Sequence, residues 1–408
     1  MSSAPSRQAW LIVIGGFLAF TVSASLMHAY TVFLLAFIEE FRWSRAESSL
    51  AYSVGQLVGG ASSPLVGGMV DRLGSRRMVL LGGCLLAAGL LGSAFVTELW
   101  QVVVLYGVVM TLGANCIGLV VFVPLVSRLF TTQRGMAISI LQSANGFGRA
   151  VSAPLAQWLV SGMGWRNAYL LQAGMMAVLV LPLAAMFRRA ESAAPAGAAP
   201  ARGDSGAEPA RHWTLAEAMR TRHFWLLFLV YMLTSIGSFL VSLHQLAFAV
   251  GQGFDPLYAA TVLGMGSFLA LPGVILTGTI SDYIGRESAA LLAYGISIIG
   301  VAAALLIDNP GQHLLLWLHA CFFGITWGAR GPAITAKTAD LFAGPRLGSI
   351  LGVITIGSGL GAAIGSWAAG LLFDLTGSYR LAFILSIAAY AAGSVAFWAL
   401  RRPVRRQA

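Results

Sequence analysis

Residues 67–83 read GGMVDRLGSRRMVLLGG. Two apolar, glycine-rich runs flank a short turn that holds Asp71, Arg72, Arg76 and Arg77. Charges gathered in a short turn between long apolar runs mark the headgroup end of a helical hairpin in lipid. The pattern returns at 278–295, GTISDYIGRESAALLAYG, where Asp282 follows Asp71 and Gly285 follows Gly74 by 211 residues. A second correspondence lies further along each half. The region from Arg134, with GFG at 146–148 and GWRNAY at 164–169, echoes the region from Arg346, with GLG at 359–361 and GSYRLAF at 377–383. The chain is therefore read as one helical unit written twice, an arrangement suited to a carrier whose site lies between two related bundles.

Composition agrees with a lipid setting. Of 408 residues 58% are hydrophobic and 10% charged, too little charge to cover a soluble protein of this length. Apolar runs bounded by charges and turn residues predict twelve helical spans near 9–36, 46–70, 77–95, 100–125, 134–158, 166–187, 223–249, 257–281, 287–307, 313–337, 346–372 and 378–400. The fold class expected is an all-α membrane protein of two pseudo-symmetric six-helix bundles. The domains expected are 1–187 as the first bundle, 188–222 as a cytoplasmic linker, 223–400 as the second bundle and 401–408 as a basic cytoplasmic tail. The N-terminal run is too long for a signal-peptide core and reads as span one. The early linker is rich in Ala, Pro and Gly and is expected to be disordered. Thr214 followed by Glu217 is a capping-box pattern that predicts a short surface helix before span seven.

The net charge of +10 does not indicate nucleic acid, because the cations sit in loops on one side. With both termini assigned to the cytoplasm, eighteen arginines fall on that side and four (Arg42, Arg45, Arg166 and Arg380) on the other. Arg149, Arg330 and Lys337 remain inside spans. Cys84, Cys116 and Cys321 fit neither a disulfide framework nor a metal motif, and no cofactor is expected.

The turn Gly67-x-x-x-Asp71-Arg72-x-Gly74-x-Arg76-Arg77, and its weaker copy Gly278-x-x-Ser281-Asp282-x-x-Gly285-Arg286, resemble the signature loop of the major facilitator superfamily, and the resemblance runs the length of the chain. Within that superfamily the chain looks like the monocarboxylate porter and oxalate–formate antiporter group. The stretches that carry this are AYTVFLLAFIEEFRWSRAESSLAYS (29–53), RLFTTQRGMAISILQSANGFG (128–148), RTRHFWLL (220–227), LHQLAFAVGQGF (243–254) and GLGAAIGSWAAGLLFDLTGSYRLAF (359–383). The resemblance implies an alternating-access transporter whose cavity is lined by spans one, four, seven and ten. It also implies a conformational latch made of Gly67, Asp71, Arg72, Gly74, Arg76 and Arg77, mirrored by Asp282, Gly285 and Arg286. The alternative is that these charges only anchor the loops at the headgroups. One departure stands out. Val274 and Ala270 occupy the span-eight positions where monocarboxylate porters usually carry an arginine and an acid, which puts lactate-type proton symport in doubt.

Polar residues on the lining spans supply the candidate site. Span one offers His28 and Tyr30, span four Asn115, span seven His244 and Gln245, and span ten Phe323, Trp327 and Arg330. Serines 235, 238 and 242 form a stripe on span seven that suits helix packing as well as pore lining. Span five carries Gln142, Asn145, Arg149 and Ser152 on one face. Lys337 is expected to pair with Asp340, three residues on. Arg330 and Arg149 have no acid at comparable depth, and an arginine in the membrane costs about 3 kcal/mol or more by insertion scales. The missing anion is read as the substrate, with Arg330 as main ligand. Arg149 assists, while His28, His244 and Asn115 act as hydrogen-bonding groups and Tyr30, Phe323 and Trp327 as the apolar wall. The competing account caps Arg330 with backbone carbonyls freed near Pro332.

The function expected is transport of a small organic anion, a mono- or dicarboxylate, by a monomer embedded in lipid, with a proton or counter-anion as candidate coupling partner. No enzyme activity, metal or nucleic-acid partner is expected. The location expected is the bacterial inner membrane. Efflux of amphipathic compounds and a non-transporting membrane sensor are the alternatives.

Overall fold

A computed structural model describes residues 7–130, 134–193, 213–342 and 346–401. Among these residues the helices follow one another as twelve rods. Span one is Arg7–His28 with Tyr30–Phe41, span two Arg45–Leu73 and span three Ser75–Ser93. Span four runs from Leu99 to Leu129 in several pieces, and spans five and six form the run Arg134–Ala193, bent at Gly164. Span seven is Arg222–Ser242 with Gln245–Gly251, span eight Pro256–Phe268 with Ala270–Ile284, and span nine Arg286–Leu305. Span ten is His313–Ile325 with Arg330–Leu341, span eleven Leu347–Thr376 and span twelve Arg380–Trp398. Eight of the described helices are long and apolar enough to cross a membrane on their own, and His313–Ile325 is a shorter apolar helix.

The repeat is written in the backbone as well as in the letters. Gly74 holds φ 79° and ψ 161°, and Gly285 holds φ 86° and ψ 152°. Only glycine enters that region without strain, so the same hairpin turn recurs 211 residues on. A second copy could not be seen from residue identity. Arg42 (φ 58°) and Gly253 (φ 91°) are also 211 apart. Each precedes an aromatic residue and then a helix cap. Ser44 caps span two, its Oγ accepting from Glu47 N at 3.1 Å. Asp255 caps span eight, its Oδ1 accepting from Tyr258 N at 2.8 Å.

Spans one, four, seven and ten, which the resemblance places at the cavity, are all discontinuous. Span one breaks at Ala29, and span seven at Leu243 and His244. Span four carries a wide π-helical stretch, Val103–Met110, and then unwinds between Asn115 and Leu119. Span ten unwinds between Ile325 and Arg330, where Gly328 adopts φ 78°. Broken helices at membrane depth are a recurrent means of presenting polar groups to a ligand.

Packing separates the residues into two units. One joins spans one and three to six with the later half of span two, from Ala61; the other joins Arg42–Gly60 with spans seven to twelve. Within the first, Gly148 lets span five approach span one, since a Cβ there would lie 2.5 Å from the Thr21 carbonyl. Within the second, Asp374 accepts from the amides of Arg45 (2.9 Å) and Ala46 (2.8 Å) at the start of span two. The Arg45 guanidinium lies 3.8 Å from the Phe373 ring centre and donates to Tyr379 Oη.

Two expectations change or gain detail. Lys337 does not turn to Asp340; its Nζ donates to Glu287 on span nine at 2.6 Å, with the two side chains 15% and 16% exposed. Spacing along one helix points to Asp340, whereas Lys337 faces the start of span nine. The surface helix forms at Leu215–Met219, with Thr214 and Glu217 capping each other's backbone. Most of the remaining linker and the tail beyond Arg401 lie outside the described residues.

Candidate functional site

In the first unit the sequence candidates fall into three places. His28 ends the first half of span one and hydrogen-bonds the Asn145 side chain of span five, with Arg149 close enough to act on it electrostatically. His28 and Arg149 are half-buried and Asn145 is exposed on this unit, so the polar face of span five and the break in span one form one patch. Tyr30 is elsewhere. It is 1% exposed, and its ring lies 4.2 Å from that of Tyr106, whose hydroxyl donates to the Met27 carbonyl at 2.8 Å. Asn115, at the edge of the unwound turn of span four, donates to Ser62 Oγ at 2.7 Å.

In the second unit Arg330 opens the second half of span ten and is 3% exposed. Its guanidinium points into the bundle, not along the helix to backbone carbonyls. Nη1 donates to Ser297 Oγ of span nine. Nη2 reaches Ser238 Oγ of span seven and Tyr390 Oη of span twelve, each at 3.4 Å. The guanidinium carbon lies 5.2 Å from the Tyr294 ring centre and 4.6 Å from that of Tyr390. Nε has no acceptor. Hydroxyls and ring faces therefore surround a full positive charge, and none of its hydrogen-bond partners is a carboxylate. Aromatic faces stabilise a desolvated cation by about 2 kcal/mol, short of a full ion pair.

The other candidates divide. Phe323 is buried and packs its ring 5.7 Å from that of Trp327, which in turn meets Phe239 at 5.4 Å. Gln245 is half-buried at the start of Gln245–Gly251. His244 is 0% exposed and both ring nitrogens have protein partners: Nδ1 meets Tyr379 Oη at 3.1 Å, while Nε2 meets Ser49 Oγ at 3.1 Å and the Ser366 carbonyl at 3.0 Å. The expectation that His244 presents a donor to a substrate gives way to a tie among spans two, seven, eleven and twelve. Within the serine stripe of span seven, Ser235 packs against span eleven, meeting Ser358 at 2.8 Å.

For the latch, Gly74 and Gly285 form the two hairpin joints and Gly67 lies in the last turns of Arg45–Leu73, while Arg72 and Arg77 are exposed and Arg76 is half-buried. The side chains of Asp71, Asp282 and Arg286 lie outside the described ones. No three His, Cys, Asp or Glu side chains among the described residues come together as metal ligands. Sequence reasoning missed Tyr294, Tyr390 and Ser297 because it covered the lining spans and span five, and these residues lie on spans nine and twelve. A phenol or hydroxyl within an otherwise apolar span was the available signal, since such groups in lipid need a partner.

Three comparisons place the chain. Residues 12–336 match the Major Facilitator Superfamily. Monocarboxylate transporter 13 of Rattus norvegicus is 27% identical over 94% of this chain and 87% of its own length. Monocarboxylate transporter 2 of Homo sapiens is 26% identical over 95% and 84%. The uncharacterized MFS-type transporter YcxA of Bacillus subtilis is 24% identical over 92% and 91%. Among solved structures, a point mutant of the nucleoside transporter NupG superposes with a TM-score of 0.75 at 13% identity, covering 97% of this chain and all of that one, a likeness of fold. Twelve helical rods, a hairpin glycine repeated in sequence and in backbone angle, and a match over most of the length make this chain an integral membrane protein of the Major Facilitator Superfamily.

Proposed function

We propose that this protein carries a small organic anion, a mono- or dicarboxylate, across the membrane by alternating access. The observation that carries the reading is the Arg330 guanidinium, buried in the second bundle with neutral partners only. A carboxylate is a stronger acceptor than any hydroxyl around it. The kinship with proteins named monocarboxylate transporters supports the same class. Arg149 and His28 form a second, half-buried polar patch whose guanidinium assists the anion, and Asn115, Gln245 and Trp327 shape the path. Asp71, Arg72, Arg76 and Arg77, with Asp282 and Arg286, latch the side that the arginine excess assigns to the cytoplasm of a bacterial inner membrane. Val274 and Ala270 stand where the usual arginine and acid of monocarboxylate porters are expected, so the anion is bound from span ten instead of span eight.

Uptake of a panel of labelled mono- and dicarboxylates into proteoliposomes tests this. The wild-type protein is expected to accumulate at least one of them, and Arg330→Ala to lose that uptake at least tenfold while still folding. Normal uptake by Arg330→Ala refutes the assignment. Acceleration by counter-anion inside the vesicles identifies exchange, and acceleration by an inward proton gradient identifies symport.

A further inference from the structure

We infer that the hydroxyls of Ser238 and Tyr390 complete a side-on carboxylate site on the Nε–Nη2 edge of Arg330, with Ser297 and the two tyrosine rings holding that edge in place. The inference rests on the carboxylate reading above and names the residues that give it geometry.

The two edges of the guanidinium are treated differently. Nη1 is anchored by Ser297, whose Oγ also bonds Thr326 Oγ1, in the unwound turn of span ten, at 2.5 Å. The opposite edge is under-used. Nε is buried without an acceptor, and Nη2 has only two contacts at the long end of hydrogen bonding. Nε–H and the adjacent Nη2–H point the same way, and their spacing matches the two oxygens of one carboxylate. A buried donor left unmet costs about 1–3 kcal/mol, so this edge favours an incoming acceptor.

The surroundings are built to keep the fork in one plane. A Cβ on Gly237 would lie 2.9 Å from the Tyr390 ring, and one on Gly393 would lie 3.3 Å from Tyr294 Oη, so these glycines leave room for the two phenols. Tyr294 Oη bonds Thr234 Oγ1 at 2.5 Å, which fixes its ring. Tyr390 Oη donates to Ser238 Oγ at 3.0 Å, and Ser238 Oγ donates to the Thr234 carbonyl at 2.8 Å. When a carboxylate takes the Nε–Nη2 edge, the Tyr390 proton turns from Ser238 to the carboxylate and supplies a third bond. Ser238, no longer accepting from Tyr390, turns its own proton from the Thr234 carbonyl to the second oxygen, so each hydroxyl donates one bond to the carboxylate.

The test uses Tyr390→Phe and Ser238→Ala in the full-length protein, reconstituted in proteoliposomes with the same labelled panel. Each is expected to raise KM about tenfold with Vmax within twofold of wild type, and Ser238→Thr to restore KM. A merely structural role would lower Vmax and thermal stability and leave KM alone. Should Tyr390→Phe fail to fold, Ser238→Ala removes a single oxygen and carries the same expectation. Unchanged KM in the folded variants, with uptake lost in Arg330→Ala, overturns the hydroxyl site and leaves the carboxylate reading standing. Absence of carboxylate uptake by the wild-type protein, or full uptake by Arg330→Ala, overturns that reading and this inference with it.

Discussion

Replacing Glu287 by Gln while Lys337 stays in place would strand an ammonium group in the second bundle. The pair is 2.6 Å long, and its side chains are 15% and 16% exposed. A fully buried pair loses about 3–5 kcal/mol when one partner is removed, whereas an exposed pair is worth about 0–1 kcal/mol. An intermediate burial gives about 2–3 kcal/mol for Glu287→Gln. At about 2.1 cal/mol/K of unfolding entropy per residue, a chain of 408 residues loses about 1 °C of Tm per kcal/mol, so a fall of roughly 2–4 °C follows. Lys337→Met should fall less, because it leaves a carboxylate in the first turn of span nine, where the helix N-terminus stabilises it. The double variant should recover part of both losses, with a coupling of about 1 kcal/mol or more. Thermal unfolding of the purified protein in mild detergent, followed by intrinsic tryptophan fluorescence, measures all three. Strictly additive single and double variants would refute the reasoning, since a direct pair cannot be additive.

Two other substitutions probe packing. His244→Leu removes the tie among Ser49, Ser366 and Tyr379 and should destabilise by about 1–3 kcal/mol, read as a lower Tm with KM for the transported substrate unchanged. A changed KM would return His244 to the substrate. Gly266→Leu places a Cβ 2.3 Å from the Ala320 carbonyl where spans eight and ten touch. Backbone does not yield as a side chain does, so overpacking there should cost about 3 kcal/mol or more, and the variant should fail to elute as a monodisperse species.

The sequence carried much of the architecture for simple reasons. Apolar runs of spanning length leave helices as the available answer in lipid. The Gly74 and Gly285 turns could be paired by letter because only glycine takes their backbone angles. The Arg42 and Gly253 turns could not, because an arginine there tolerates the left-handed conformation and hides the correspondence. The site was less legible. His244 and Arg330 look alike in a sequence, as polar groups in lining spans. Packing tells them apart, since His244 meets three partners while Arg330 keeps its Nε unmet among the described residues. Helical spacing alone pairs Lys337 with the wrong acid, because it reports neighbours along one helix and is silent about Glu287 across the interface.

The interruption of span ten has an electrical consequence. Arg330 is the first residue of the half-helix Arg330–Leu341, so the amino-terminal end of that segment, equivalent to about half an elementary charge, adds to the guanidinium. Mobile salt does not penetrate a closed protein interior and cannot damp the combined potential. Such a potential draws in any negative species without regard to outline. Under the proposed carboxylate reading, discrimination among anions then falls to the phenols and alcohols that ring it, and exchanging those uncharged groups should retune cargo preference while leaving the preference for negative charge intact.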